Sequence, residues 1–233
     1  IREATKFGAK RLKYYFDLDW SEGAIYRVLK DKGCIEDQKK KHETKRDLRE
    51  IKKQYKAFER IMVDVKHLQD IPNYWPQMMK KSLPEYQYTA RDVKTGAMFL
   101  GFGDSYCVPY SKIFVTKLLE HLDNHGIPLE EVDIKTDNGS EFSGNLDDPD
   151  RGFVKSVEEM GSNHIFIPPN TPNANADVEF SHRYIEDEFY ELKQFGDRED
   201  LYRKVLTYIY FWNIGRINLN RGQKPLWKYY LKN

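Results

Sequence analysis

The chain has 233 residues, 39% of them hydrophobic and 14% aromatic, which is enough for a real core and excludes a wholly disordered protein despite 32% charged residues. No apolar run approaches the roughly 20 residues that span a bilayer, Ile1-Arg2-Glu3 opens no signal-peptide core, and Cys34 and Cys107 are too few for a disulfide framework or a four-thiolate zinc site, so a cytoplasmic, reducing compartment and no membrane are expected. The net charge of +1 conceals a segregation: residues 1–60 hold 18 Lys+Arg against 11 Asp+Glu, residues 201–233 hold 7 against none, and the stretch between holds 13 against 26. Basic ends around an acidic middle suggest a polyanion partner and an acidic site that holds cations, with ordinary solvated surface charge as the bland alternative.

Residues 1–35 read as two short helices. Leu12 and Phe16 stand four apart in the first, and Ile25, Val28 and Leu29 point inward from the second. Ser21 is placed to cap the second helix and Gly33 to stop it. The size fits a DNA-binding helix-turn-helix, and equally a packing hairpin. Residues 36–58, with Lys39-Lys40-Lys41 and a charged run, read as a basic linker that becomes a helix, lying along phosphates or merely solvated. Residues 59–233 form the remaining unit. Ile61 to Lys66 is a strand with one acid in its middle. The segment 70–76, rich in Pro and aromatics, lengthens the loop that follows. Tyr86 to Val93 and Ala97 to Phe102 are strands joined by a hairpin turn over Asp92–Gly96. Lys112 to Asn124 is an amphipathic helix, Val132 to Thr136 a fourth strand, Val154 to Met160 a helix and His164 to Ile167 a fifth strand. Helices over 173–193 and 199–212 follow. The order βββαβαβαα predicts a mixed sheet with helices on both faces.

Three acids stand where an acid needs a reason. Asp64 sits inside an apolar strand, where an unpaired carboxylate costs several kcal/mol unless a cation offsets it. Asp137 ends the fourth strand, in Thr136-Asp137-Asn138-Gly139-Ser140-Glu141-Phe142, where Gly139 permits a tight turn. Glu179 flanks the inward helix face of Val178, Ile185 and Leu192. If strands one and four are central neighbours and the helix crosses their edge, the three converge. Such hard oxygen ligands suit Mg²⁺ or Mn²⁺, and a pair of ions about 4 Å apart serves in-line phosphoryl displacement. Taken singly, each acid reads first as a turn cap or salt-bridge partner, and only the combination points to a metal site.

Val63-Asp64-Val65, Tyr88-Thr89-Ala90-Arg91-Asp92, the Asp137 stretch and Pro172-Asn173-Ala174-Asn175-Ala176-Asp177-Val178-Glu179 followed by Ser181-His182-Arg183 together resemble the DDE transposases of bacterial insertion sequences, whose catalytic core is like that of retroviral integrases. The resemblance implies a ribonuclease-H-like α/β fold, a mixed five-stranded sheet with helices on both faces, behind a small all-α helix-turn-helix. It implies Asp64, Asp137 and Glu179 as catalytic metal ligands for Mg²⁺ or Mn²⁺, two ions per site. It further implies double-stranded DNA as partner, both element ends and target, with the hairpin reading the ends through a match at Gly8-Ala9-Lys10-Arg11 and Ala24-Ile25-Tyr26-Arg27-Val28-Leu29-Lys30. Its setting would be the nucleoid of a prokaryotic cytoplasm. The family often carries Arg after the helix Glu and Asn-x-x-Arg-Pro-His near its end; this chain has Phe180, and Ile217-Asn218 after Asn213-Ile214-Gly215-Arg216.

Around the triad, His182 and Arg183 share Glu179's side of the helix and could hold a DNA phosphate, or pair with Glu179 or Glu186. Asn138 could orient the scissile phosphate or serve the turn. His67 reads as structural and Glu141 as a helix- or turn-associated acid. Arg27 and Lys30 lie on the polar side of their helix. Joining two element ends needs two active sites, so a homodimer or higher oligomer on DNA is expected. Two other functions fit the same residues: a transposase-derived DNA-binding protein with an idle core, and a plain metal-dependent nuclease.

Overall fold

The computed structural model describes residues 5–35, 54–144, 152–168 and 175–216. Most of the basic linker read over 36–58 lies outside the described residues, as do Pro172 to Ala174 and Arg221, Lys224, Lys228 and Lys232. In chain order the main elements are α1 (Ala9–Tyr15), α2 (Glu22–Asp31), β1 (Arg60–His67), α3 (Trp75–Lys81), β2 (Tyr86–Asp92), β3 (Met98–Gly103) and α4 (Val108–Asn124). They continue with β4 (Asp133–Thr136), the single turn α5 (Ser140–Ser143), α6 (Gly152–Glu159), β5 (Asn163–Phe166), α7 (Ala176–Glu188) and α8 (Arg198–Tyr210).

The five strands form one mixed sheet in the order β3-β2-β1-β4-β5. β2 pairs antiparallel with both β1 and β3, whereas β4 runs parallel to β1 and β5 parallel to β4. The apolar run of β1 is thereby explained, because the central strand is covered on both faces. Its alternation sends Ile61, Val63 and Val65 into one core with Val115, Leu118, Leu119 and Leu122 of α4 and Phe153 and Val157 of α6. Met62 goes to the other face, against Val178 of α7. The expected hairpin turn is present: the Asp92 carboxylate accepts the N–H groups of Thr95 at 2.7 Å and Phe58 at 3.1 Å, and Gly96 takes φ +78°.

Three elements differ in extent from the sequence reading, and Val28, read as inward on α2, is instead 43% exposed. Residues 75–81 are a helix rather than loop, started by Pro76 in its first turn and held by buried Tyr74 and Met78. α4 begins four residues before the expected Lys112, again with a proline, Pro109, in the first turn. The helix expected to reach Lys193 leaves helical geometry at Phe189 (φ −129°, ψ −65°), where a 3₁₀ turn over Tyr190–Leu192 follows. That break lets the adjacent rings of Phe189 and Tyr190 both bury in one cluster.

The N-terminal hairpin has the expected caps. Ser21 Oγ accepts the Ala24 N–H at 3.2 Å, and Gly33 sits at φ +66°. It also packs on the larger unit. Phe7, Leu12, Ile25 and Leu29 form a small core that reaches Phe211, and the Tyr15 hydroxyl donates to the Gly215 carbonyl at 3.0 Å. Among the described residues no helix is long and apolar enough to cross a membrane.

Candidate active site

α7 lies along β1 with matched spacing. Met62 packs on Val178, Asp64 Oδ2 faces His182 Nδ1 at 3.7 Å, and Lys66 pairs with Glu186 at 2.5 Å. Every second strand residue therefore meets every fourth helix residue, because two strand steps (about 6.7 Å) nearly equal four helical ones (about 6 Å). This arrangement turns Asp64 away from the apolar core and toward the helix that carries Glu179 in its first turn.

The parallel register brings up the second acid. Arg60 pairs with Asp133, Ile61 with Ile134 and Met62 with Lys135, so two residues further on Asp64 falls beside Asp137. Asp137 Oδ1 accepts the Gly139 N–H at 2.9 Å, a local turn that holds the side chain at the strand end. The Asp64 carboxyl is pushed up to about 7, first by burial, then by the negative charge of Asp137, with smaller contributions from Glu141 and Glu179; the Val65 N–H, donating to Oδ1 at 2.9 Å, opposes the rise.

Glu141 is the site residue that sequence reasoning missed. It is 1% exposed, its Oε2 has no hydrogen-bond partner among the described residues, and the Tyr106 hydroxyl lies near the carboxylate. Burial raises its carboxyl, and the charge of Asp137 adds to the rise. The carboxylate rests against Gly139, where an added Cβ would lie 2.4 Å from Oε2. Gly139 has an ordinary φ of −58°, so the backbone there does not require glycine for the tight turn that the sequence suggested; the space a Cβ would take is filled by the end of the Glu141 side chain.

The other sequence-predicted residues divide by exposure. Glu179 and Arg183 are exposed on α7, Asn138 is exposed beside Asp137, and Tyr26, Arg27 and Lys30 are exposed on α2, opposite buried Ile25 and Leu29. Lys10 is half-buried. Asn138 donates its amide to the Ile167 carbonyl at 2.8 Å and so ties the end of β4 to the end of β5. His182 is 8% exposed and shares a hydrogen bond with Thr89, which turns it inward from any phosphate. Arg11 is likewise spent within the fold. It pairs with Glu188 at 3.0 Å and lies over the Phe7 and Tyr184 rings. Glu188 also accepts both terminal nitrogens of Arg216, and the Asn213 side chain brackets the backbone of Met98, so the C-terminal Asn–Arg pair has structural duties.

A hard divalent cation fits the chemistry of this cluster. The Asp64 carboxylate is largely withdrawn from water and that of Glu141 wholly so, neither has a compensating cationic partner among the described residues, and the donors are all oxygen. As the side chains stand, no three His, Cys, Asp or Glu groups among the described residues are close enough to hold one ion. Ligation by three of them requires side-chain rotation, which exposed Glu179 is free to make. In comparison with known proteins, neither a family model nor a curated sequence matches the chain.

Proposed function

We propose that the protein is a DDE-type transposase, a recombinase that cuts DNA at the ends of a mobile element and joins them to target DNA. The observation that carries this reading is Asp64: an acid in the middle of the central strand, raised toward neutrality by burial and by Asp137, Glu141 and Glu179 around it. A buried carboxylate with other carboxylates near it costs stability that a bound cation would offset. The strand order is compatible with a ribonuclease-H-like core, and the exposed Tyr26, Arg27 and Lys30 suit a DNA-reading helix.

Asp64, Asp137 and Glu179 would hold Mg²⁺ or Mn²⁺, two ions per site, with Glu141 adding negative charge from beneath. Bound there, the ions would activate the attacking oxygen and stabilise the leaving one in an in-line displacement at phosphorus. In this reading water attacks the phosphodiester at the element's end and frees a 3′-hydroxyl. That hydroxyl then attacks a target phosphodiester, so one P–O bond forms as another breaks and no energy cofactor is consumed. The two joining events need two active sites, and the working form is at least a dimer on double-stranded DNA.

The test is a strand-transfer assay with labelled DNA flanking the gene, a target plasmid and Mg²⁺. A covalently joined product supports the reading. Hydrolysed ends without joining would make the protein a plain nuclease, and binding without cleavage an idle-core DNA-binding protein.

A further inference from the structure

Behind Asp64, on the side away from Asp137, runs a line of buried polar side chains that the acid cluster does not explain. Thr89 is the cross-strand neighbour of Asp64, and Gln87 lies two residues before it on the same face of β2. Tyr190, Gln87 and Thr89 are fully buried and His182 nearly so. They are linked in sequence: Tyr190 Oη to Gln87 Oε1 at 2.6 Å, Gln87 Nε2 to Thr89 Oγ1 at 2.8 Å, and Thr89 Oγ1 to His182 Nε2 at 2.9 Å. His182 Nδ1 then faces Asp64 Oδ2 at 3.7 Å.

Hydrogen accounting gives this line a direction. A phenol and a threonine hydroxyl each have one hydrogen, and an amide has a donor end and an acceptor end. With the Tyr190 hydroxyl donating to Gln87 Oε1, the amide donates to Thr89 Oγ1, and the Thr89 hydrogen is left for His182 Nε2. Were His182 Nε2 to donate to Thr89 as well, the Thr89 hydrogen would have no acceptor among the described residues in a fully buried place, so the imidazole hydrogen sits on Nδ1, aimed at the carboxylate. Run in reverse, the line would have Gln87 donating to Tyr190, whose own hydrogen would point at nothing among the described residues in a fully buried place. It would also set the bare Nδ1 lone pair of His182 against Asp64 Oδ2 whenever that carboxyl is ionised. Only the first direction satisfies both ends.

We infer that the Tyr190–Gln87–Thr89 line fixes His182 as its Nδ1–H tautomer and makes His182 a positioning residue for the Asp64 carboxylate. The 3.7 Å separation is longer than a formed hydrogen bond, so the hold on Oδ2 is electrostatic and directional rather than a closed contact. Val65 N–H holds Oδ1 from the other side, and between them the two donors set the carboxylate's rotation. The tautomer stands on the geometry alone; its catalytic consequence rests on the proposed function.

The experiment uses the full chain labelled with ¹⁵N at histidine. Ring-nitrogen shifts of His182 should show protonated Nδ1 and unprotonated Nε2 in the wild type. Thr89→Val, which removes the donor while keeping the shape, and Tyr190→Phe, which removes the start of the line, should each abolish that single tautomer; Thr89→Ser should keep it. Predominant Nε2–H in the wild type, or an unchanged tautomer in folded Thr89→Val, would overturn the inference. Mn²⁺ binding read by electron paramagnetic resonance should weaken about 10-fold or more in Thr89→Val and be restored in Thr89→Ser, as for other groups that orient metal ligands. Unfolding curves of the same samples separate this from loss of fold. A wild type that shows the Nδ1–H form but neither binds Mn²⁺ nor cuts DNA would uphold the line and refute the proposed function. Wild-type cutting that Thr89→Val leaves intact would refute the positioning role and spare the proposed function.

Discussion

Replacing Asp64 by Asn is expected to stabilise the metal-free protein at neutral and alkaline pH, although it removes the residue on which the proposed chemistry turns. A carboxyl at its ordinary value in the unfolded chain and raised from 3.8 to about 7 in the folded one binds its proton more tightly when folded. Between those two values the folded state carries more proton than the unfolded state, so stability falls as pH rises through the window. At about 1.4 kcal/mol for each pH unit, the full penalty above pH 7 reaches about 4 kcal/mol. The neutral amide of Asp64→Asn has no charge to bury and escapes it. Below pH 4 the carboxyl is protonated in both states and the advantage of the amide disappears. Urea unfolding in EDTA, run from pH 4 to pH 8.5 on both proteins, measures the difference directly. A gain for Asp64→Asn that grows from near zero to a few kcal/mol across that range supports the reasoning. A gain independent of pH, or a loss at pH 8, would refute it. Added Mn²⁺ should stabilise the wild type and leave Asp64→Asn unmoved, since a cation offsets the same penalty that the substitution removes.

Glu188→Gln should cost about 3–5 kcal/mol in the same unfolding assay, because Arg11 and Arg216 would keep their buried charges without a partner; a cost below about 1 kcal/mol would mean that water reaches them. Gly139→Ala should destabilise by about 1–3 kcal/mol, because the new methyl meets the Glu141 carboxylate at an unstrained backbone position. Combining it with Glu141→Ala should remove most of that cost, and full additivity would show that the two residues do not touch. The double variant Arg27→Ala, Lys30→Ala should leave stability unchanged, as both residues are exposed, yet weaken DNA binding and lower the salt slope by about one to two in filter binding. Unchanged affinity would make the hairpin a packing unit only.

What could be read in advance was local or periodic. Asp64 announced itself as a lone acid in an apolar strand, and the strand pattern was enough to anticipate a mixed sheet flanked by helices. The capping Ser21 and the stop at Gly33 are short-range signals and held to the residue. What escaped depends on partners far away in sequence. The Arg11–Glu188 pair closes a separation of 177 residues, and the His182–Thr89 bond one of 93. Periodicity only says that Arg11 and His182 sit on a helix. Whether they look outward or inward is decided by the neighbouring element. Glu141 does sit in a helical turn, but its burial escaped for the same reason. Its burial follows from Tyr106 and from the missing side chain at Gly139, and neither marks the glutamate itself. α3 escaped because the Trp75-Pro76 pair that opens it, after Pro72 and Tyr74, resembles loop composition, while its anchor, the cluster around Tyr190 and Phe195, lies more than a hundred residues away.

The central claim is that Asp64, Asp137 and Glu179 act as one metal-dependent catalytic unit. The most direct measurement is cleavage of flanking DNA in Mg²⁺ by Asp64→Asn, Asp137→Asn and Glu179→Gln, beside the wild type and with DNA binding measured in parallel. Each substitution is nearly isosteric and removes one ligand charge. Each should reduce cleavage by about a thousandfold or more, with binding retained, and a pair of them should lose little beyond either alone. A single variant that still cuts at close to the wild-type rate would remove its residue from the unit and contradict the account.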